Sequence, residues 1–138
     1  MIKHVMCAAL LAAGAGAAGL AQSPQERAEA RLAEFAPTGE TRTCIATHRI
    51  RHITPIDDRR WMVELRGGET WLNEVSRGCF GASSPFSYLQ YRVPGGQLCR
   101  GEIIQVKDQS TRMTRGACGL GDYQQLERAQ TDAADTGA

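Results

Sequence analysis

From Thr43 onward the apolar residues alternate with a period of two, and Gly, Pro, Asp and Asn clusters interrupt the pattern every 8–12 residues or so. That spacing leaves room only for short strands joined by turns, which points to a small all-β domain. Thr43 to Ile50 reads as a strand, Ile53 to Asp58 as a second, and Trp61 to Leu65 as a third. Gly67 and Gly68 then supply a two-residue hairpin turn, because glycine accepts positive φ without penalty. This register puts Trp61, Val63, Leu65 and Leu72 on the core face, with Met62, Glu64, Trp71 and Asn73 opposite. Phe86 to Val93, Leu98 to Lys107 and Arg115 to Leu126 complete the strands, and Pro94-Gly95-Gly96-Gln97 forms a turn. The expected fold is a small disulfide-braced antiparallel β-barrel or sandwich of about six to seven strands.

The segments before Thr43 are of another kind. Lys3 and His4 precede an apolar, alanine-rich run from Val5 to Leu20, and Gly19-Leu20-Ala21 offers the small residues a signal peptidase reads. Residues 1–21 therefore read as a secretory signal peptide. The run is broken by Gly14, Gly16 and Gly19 and falls short of the roughly 20 strongly apolar residues of a span. No stable membrane span is expected once it is removed. Ser23-Pro24-Gln25-Glu26 is a capping box with proline at the first helical position, so a short helix is expected from Pro24 to Phe35. Pro37 and Gly39 end it. The organisation expected is helix and linker over 22–41, β domain over 42–127, and a disordered tail over 128–138.

Export places the cysteines in an oxidising compartment, the periplasm or the exterior, where thiols pair. Cys44, Cys79, Cys99 and Cys118 lack the C-x-x-C spacing of zinc sites, and their even number predicts two disulfides. A hairpin centred on Asp108-Gln109-Ser110 would set Cys99 opposite Cys118, leaving Cys44 for Cys79. A wider loop reaching Thr114 would instead free Cys118 for Cys44.

Charge narrows the partner classes. Without Lys3 the chain carries 15 basic and 15 acidic residues, and Arg42 to Asp122 holds 12 basic against 8 acidic. This falls well short of the dense basic face that nucleic acid requires, so no nucleic-acid partner is expected. His48, His52, Asp57 and Asp58 are the sole candidates for a metal or acid–base site. On one strand the two imidazoles would stand roughly 13 Å apart, and adjacent aspartates point to opposite faces. A turn in which Asp57 or Asp58 caps backbone N–H groups is expected instead. No G-x-S-x-G elbow and no phosphate cradle is present. No catalytic residue, metal or organic cofactor is expected.

Cys44-Ile45, Ile56-Asp57-Asp58-Arg59, Gly68 with Trp71-Leu72-Asn73, Leu98-Cys99-Arg100-Gly101 and Cys118-Gly119-Leu120-Gly121 before an aromatic form a recurring combination. It resembles a family of small exported proteobacterial proteins known only as a domain of unknown function, with Tyr123 where that pattern has Phe. The resemblance implies a periplasmic location and no established activity.

Trp71, flanked by Met62 and Asn73, sits awkwardly on the second face and marks a candidate contact surface. The expected function is a non-enzymatic binding or interaction module of the cell envelope, holding a protein, peptide or other ligand. The alternative is an inhibitor or accessory subunit of an envelope enzyme, acting through the loop from Gly78 to Pro85. The exported form should begin at Gln22; an intact mass that retains Met1 to Ala21 would overturn the signal-peptide reading.

Overall fold

The computed structural model describes residues 19–130, so the leader up to residue 18 and the tail from 131 lie outside the described residues. Helix α1 spans Pro24–Leu32 and opens on the expected capping box: the Ser23 hydroxyl accepts the Glu26 N–H, and the Glu26 carboxylate accepts the Ser23 N–H. The helix stops before Phe35, which instead begins strand β1 (Phe35–Arg42). The linker reading is corrected here. β1 is an edge strand, where Pro37 costs no ladder bond and Gly39 at φ +90° falls within a register shift between Pro37 and Thr41.

Among the described residues nine further strands follow: β2 (Cys44–Ala46), β3 (Ile50–Pro55), β4 (Arg60–Leu65), β5 (Thr70–Glu74), β6 (Ser87–Gln90), β7 (Gln97–Cys99), β8 (Ile103–Asp108), β9 (Thr114–Gly119) and β10 (Tyr123–Arg128). The ten exceed the six or seven expected because the long apolar runs are broken. A 3-10 turn at Thr47–Arg49 separates β2 from β3. Gly101, at φ +86°, turns the chain between β7 and β8, and Leu120 to Asp122 separates β9 from β10. β10 continues to Arg128 and the Ala129 N–H bonds the Glu34 carbonyl at 2.8 Å, so the ordered chain passes the expected tail boundary.

All pairings are antiparallel. The strands form a five-stranded sheet in the order β1-β10-β5-β4-β3, a three-stranded sheet β6-β8-β9 and the pair β2-β7. All three contribute to one core: Trp61, Val63, Leu65, Trp71 and Tyr123 from the first, Ile104, Val106 and Cys118 from the second, Ile45 and Leu98 from the pair. Among the described residues no sheet closes on itself as a barrel.

The β4–β5 turn holds three residues, Arg66-Gly67-Gly68, and not two: the Leu65 N–H bonds the Glu69 carbonyl at 2.8 Å, and Gly68 takes φ +90°. Val63 therefore faces Trp71, Trp61 faces Asn73, and Met62 faces Leu72. One extra loop residue moves every side chain of β5 to the other face, so Trp71 joins the core and Leu72 leaves it. The second face is held under α1 by ion pairs from Arg31 to Glu64 and from Arg60 to Glu29.

Disulfides join Cys44 to Cys99 and Cys79 to Cys118, which corrects the pairing expected from the sequence. The β8–β9 hairpin is centred beyond Ser110, because its loop runs to Met113 and closes with Asp108 N–H on the Met113 carbonyl at 2.9 Å. Cys118 thus lies opposite Ile104. Cys99 belongs to the preceding strand, directly across from Cys44 with Cα atoms 4.0 Å apart. Cys79 reaches Cys118 because its loop runs beside β9, bridged at Ser76 and Gly119. Non-reducing peptide mapping should recover these two linkages. Replacing either pair by serine should cost roughly 2–5 kcal/mol in chemical denaturation.

Candidate binding surface

Met62, Trp71 and Asn73, the contact surface expected from the sequence, are all fully buried and cannot meet a partner. The corrected register explains Trp71 and Asn73, and helix α1 explains Met62. Trp71 lies in the core, its indole N–H directed at Glu69 (3.4 Å) and its ring capped by the Arg42 guanidinium 4.6 Å from the centroid. Asn73 holds the backbone of Gly121 at both ends: its amide donates to the carbonyl at 2.8 Å and its oxygen accepts the N–H at 3.0 Å. A Cβ on Gly121 would stand 2.2 Å from the Glu74 carbonyl oxygen, so glycine is required there. Met62 lies on the face beneath α1.

His48 sits in the 3-10 turn, not on the expected strand, and both histidines are exposed. Among the described residues no three His, Cys, Asp or Glu side chains gather as metal ligands would. Of the two adjacent aspartates it is Asp57 that caps the turn, accepting the Arg59 and Arg60 N–H groups, each at 2.7 Å, and the Arg60 guanidinium at 2.6 Å. Burial opposes its charge, but these hydrogen bonds and the Arg60 charge outweigh burial and lower its pKa. Asp108, which the sequence marked only as a turn residue, is buried and accepts from Ser110 Oγ, the Ser110 and Thr111 N–H groups and Arg115. The Ser110 hydroxyl, then the Thr111 N–H, hold its carboxyl far below the usual range against the opposing effect of burial. Both aspartates are committed to shaping turns.

The open feature of the surface lies where two sheet edges meet. β3 ends the five-stranded sheet and β6 ends the three-stranded one. A groove of about 340 Å³ between them is lined by Ile50, Ile53 and Pro55 on one side, Ser87 and Leu89 on the other, with Tyr91 beyond. Ile56 N–H bonds the Arg60 carbonyl, so antiparallel alternation turns the Thr54 and His52 backbone groups toward β4 and those of Ile53 outward. By the same alternation, the Gln109 N–H on the Phe86 carbonyl directs Tyr88 and Gln90 toward β8 and Leu89 outward. No backbone hydrogen bond joins the two edges among the described residues. Ser87 Oγ, buried at the groove, also has no partner. Ile50, Ile53, Leu89 and Tyr91 are half-buried against the core and give the groove an apolar floor. The sequence could not single these residues out, because it does not say which strands end a sheet.

A second exposed feature is the loop between β5 and β6. Phe80 is 81% exposed and Phe86 69%, and the adjoining Cys79 is tied to Cys118. No family model, curated protein or solved structure matches the chain.

The lowered pKa values make a signed prediction. A carboxyl whose folded pKa lies below its unfolded value of about 3.9 stabilises the fold above that pH, and the contribution disappears as the pH falls toward the folded pKa. Unfolding free energy should therefore be level near neutrality and drop on acidification below about pH 4. Asp108→Asn should reduce the drop, measured by tryptophan fluorescence in urea. An unchanged acid profile would remove Asp108 from this role.

Proposed function

We propose that the protein is a non-enzymatic binding module of the cell envelope, exported by its N-terminal signal peptide to the periplasm, which takes an extended segment of a partner protein along the groove between β3 and β6. The sheets pack around their shared core as an open sandwich rather than a barrel, and an open sandwich keeps edges that a barrel abolishes. The observation that carries the reading is this pair of edge strands, with outward backbone groups at Ile53 and Leu89 and, among the described residues, no strand between them. Unpaired edge groups supply affinity by main-chain hydrogen bonding, and a floor of alternate apolar residues selects side chains. The contrast with β1 supports it. That edge is blunted by Pro37 and the irregularity at Gly39, devices that discourage pairing, whereas Pro55 ends β3 and β6 contains no proline. Two disulfides fit an oxidising envelope compartment. Among the described residues no helix is long and apolar enough to cross a membrane.

The second reading, an inhibitor or accessory subunit of an envelope enzyme, is favoured by the exposure of Phe80 on a disulfide-tethered loop. Hydrogen exchange separates the two. An alternating valine–threonine peptide should protect the Ile53 and Leu89 amides, and N-methylation of every second peptide bond should abolish the effect. Equal protection by the methylated peptide would overturn strand addition. A partner held through the loop would instead protect the amides of Gly81 to Ser84.

A further inference from the structure

The charge around the groove points to the chemistry of the segment it holds. Two neighbouring depressions share lining residues with the groove. One shares Arg51 and His52 with it and adds Arg66; the other shares Tyr91 and adds Arg92 and Lys107. Among the described residues no carboxylate lines any of the three. Elsewhere in the described chain Arg31, Arg42, Arg49, Arg60, Arg100, Arg115 and Arg128 each hold an acidic partner, while Arg27, Arg59, Arg77 and Arg112 hold none and line none of the three depressions. Arg51, Arg66 and Arg92 form no ion pair among the described residues, whereas the Lys107 ammonium donates to Thr114 Oγ1 on β9 at 2.7 Å. Glu64, the acid opposite His52 on β4, is already held by Arg31.

Cations left without partners along a groove with an apolar floor ask for a ligand that is apolar on one side and anionic on the other. An extended peptide offers this at alternate residues, since its side chains point to opposite faces. We infer that the partner segment is an acidic strand in which apolar residues alternate with Asp or Glu: the apolar side chains lie on Ile53, Leu89 and Tyr91, and the carboxylates meet Arg51 and Arg92. This rests on the strand-addition reading above and specifies its ligand. The apolar floor favours a peptide over a polyanion that lacks apolar side chains, because burial of that floor is then part of the affinity.

The test compares three labelled peptides, Val alternating with Glu, with Thr and with Lys, by fluorescence anisotropy against the full disulfide-bonded protein. The Glu peptide should bind at least about tenfold more tightly than the Thr peptide, with the advantage shrinking as salt rises. The double charge reversal Arg51→Glu with Arg92→Glu changes exposed residues and should retain the fold, verified by circular dichroism. It should reverse the preference toward the Lys peptide. Equal binding of the Glu and Thr peptides would overturn the charge inference while leaving strand addition standing. Failure of all three would overturn both. A heparin oligosaccharide that displaces the Glu peptide at equal concentration would overturn the assignment to a peptide and make the face a general polyanion site.

Discussion

The three-residue turn between β4 and β5 decides that Trp71 faces inward beside Trp61, and much of the core follows from that decision. With Arg66, Gly67 and Gly68 in the loop, Trp61, Val63 and Leu65 share a face with Trp71. A buried tryptophan removes roughly 150–250 Å² from water, worth roughly 4–6 kcal/mol at about 25 cal/mol per Å². No turn preference between two and three residues approaches that magnitude, so burial of Trp71 selects the register and the glycines accommodate it. Asn73 then points at Gly121, fixing where β10 begins, and β10 in turn pairs with β1. The N-terminal strand is thus placed by a choice made at residue 67.

Much of the local structure was legible from residue types alone. The Ser23 capping box, β4 within a residue of its expected start, the Asp57 turn and the even number of paired cysteines all follow from chemistry that acts over a few positions. What escaped the sequence depends on parity or on topology. Loop length at Gly67 and Gly68 differed by one, and with period two that is the largest possible error in facing. The cysteine pairing failed for a related reason: Asp108 closes a loop as far as Met113, which shifts the hairpin centre and separates Cys99 from Cys118. Phe35 to Arg42 looked like linker because Pro37 and Gly39 are turn formers. An edge strand tolerates both, but sequence does not reveal that a strand will lie at an edge. The candidate groove was invisible for the same cause.

One disulfide and one buried phenol tie separate parts of the fold together, and the second disulfide closes the smallest sheet. Cys79–Cys118 anchors the long loop after β5 to the three-stranded sheet, and Cys44–Cys99 clasps the small β2–β7 pair. Tyr123, from the large sheet, donates its phenol to the Leu98 carbonyl of β7 at 3.0 Å. Burial, with a smaller contribution from Tyr91, raises the pKa of that phenol and keeps it a proton donor. Short strands that could not stand alone are thereby secured to one core.

The unneutralised cations on β3 and beyond β6 carry a consequence for the molecule in the company of its own copies. An unpaired edge is a template for any strand, including the same edge of a neighbour, and such pairing can propagate into fibrils. Here two copies meeting edge to edge would set Arg51 and Arg92 against their equals, at an electrostatic cost that only high ionic strength relieves. On the proposed reading, the sign of the rim would favour strands of opposite charge over the same edge of a second copy.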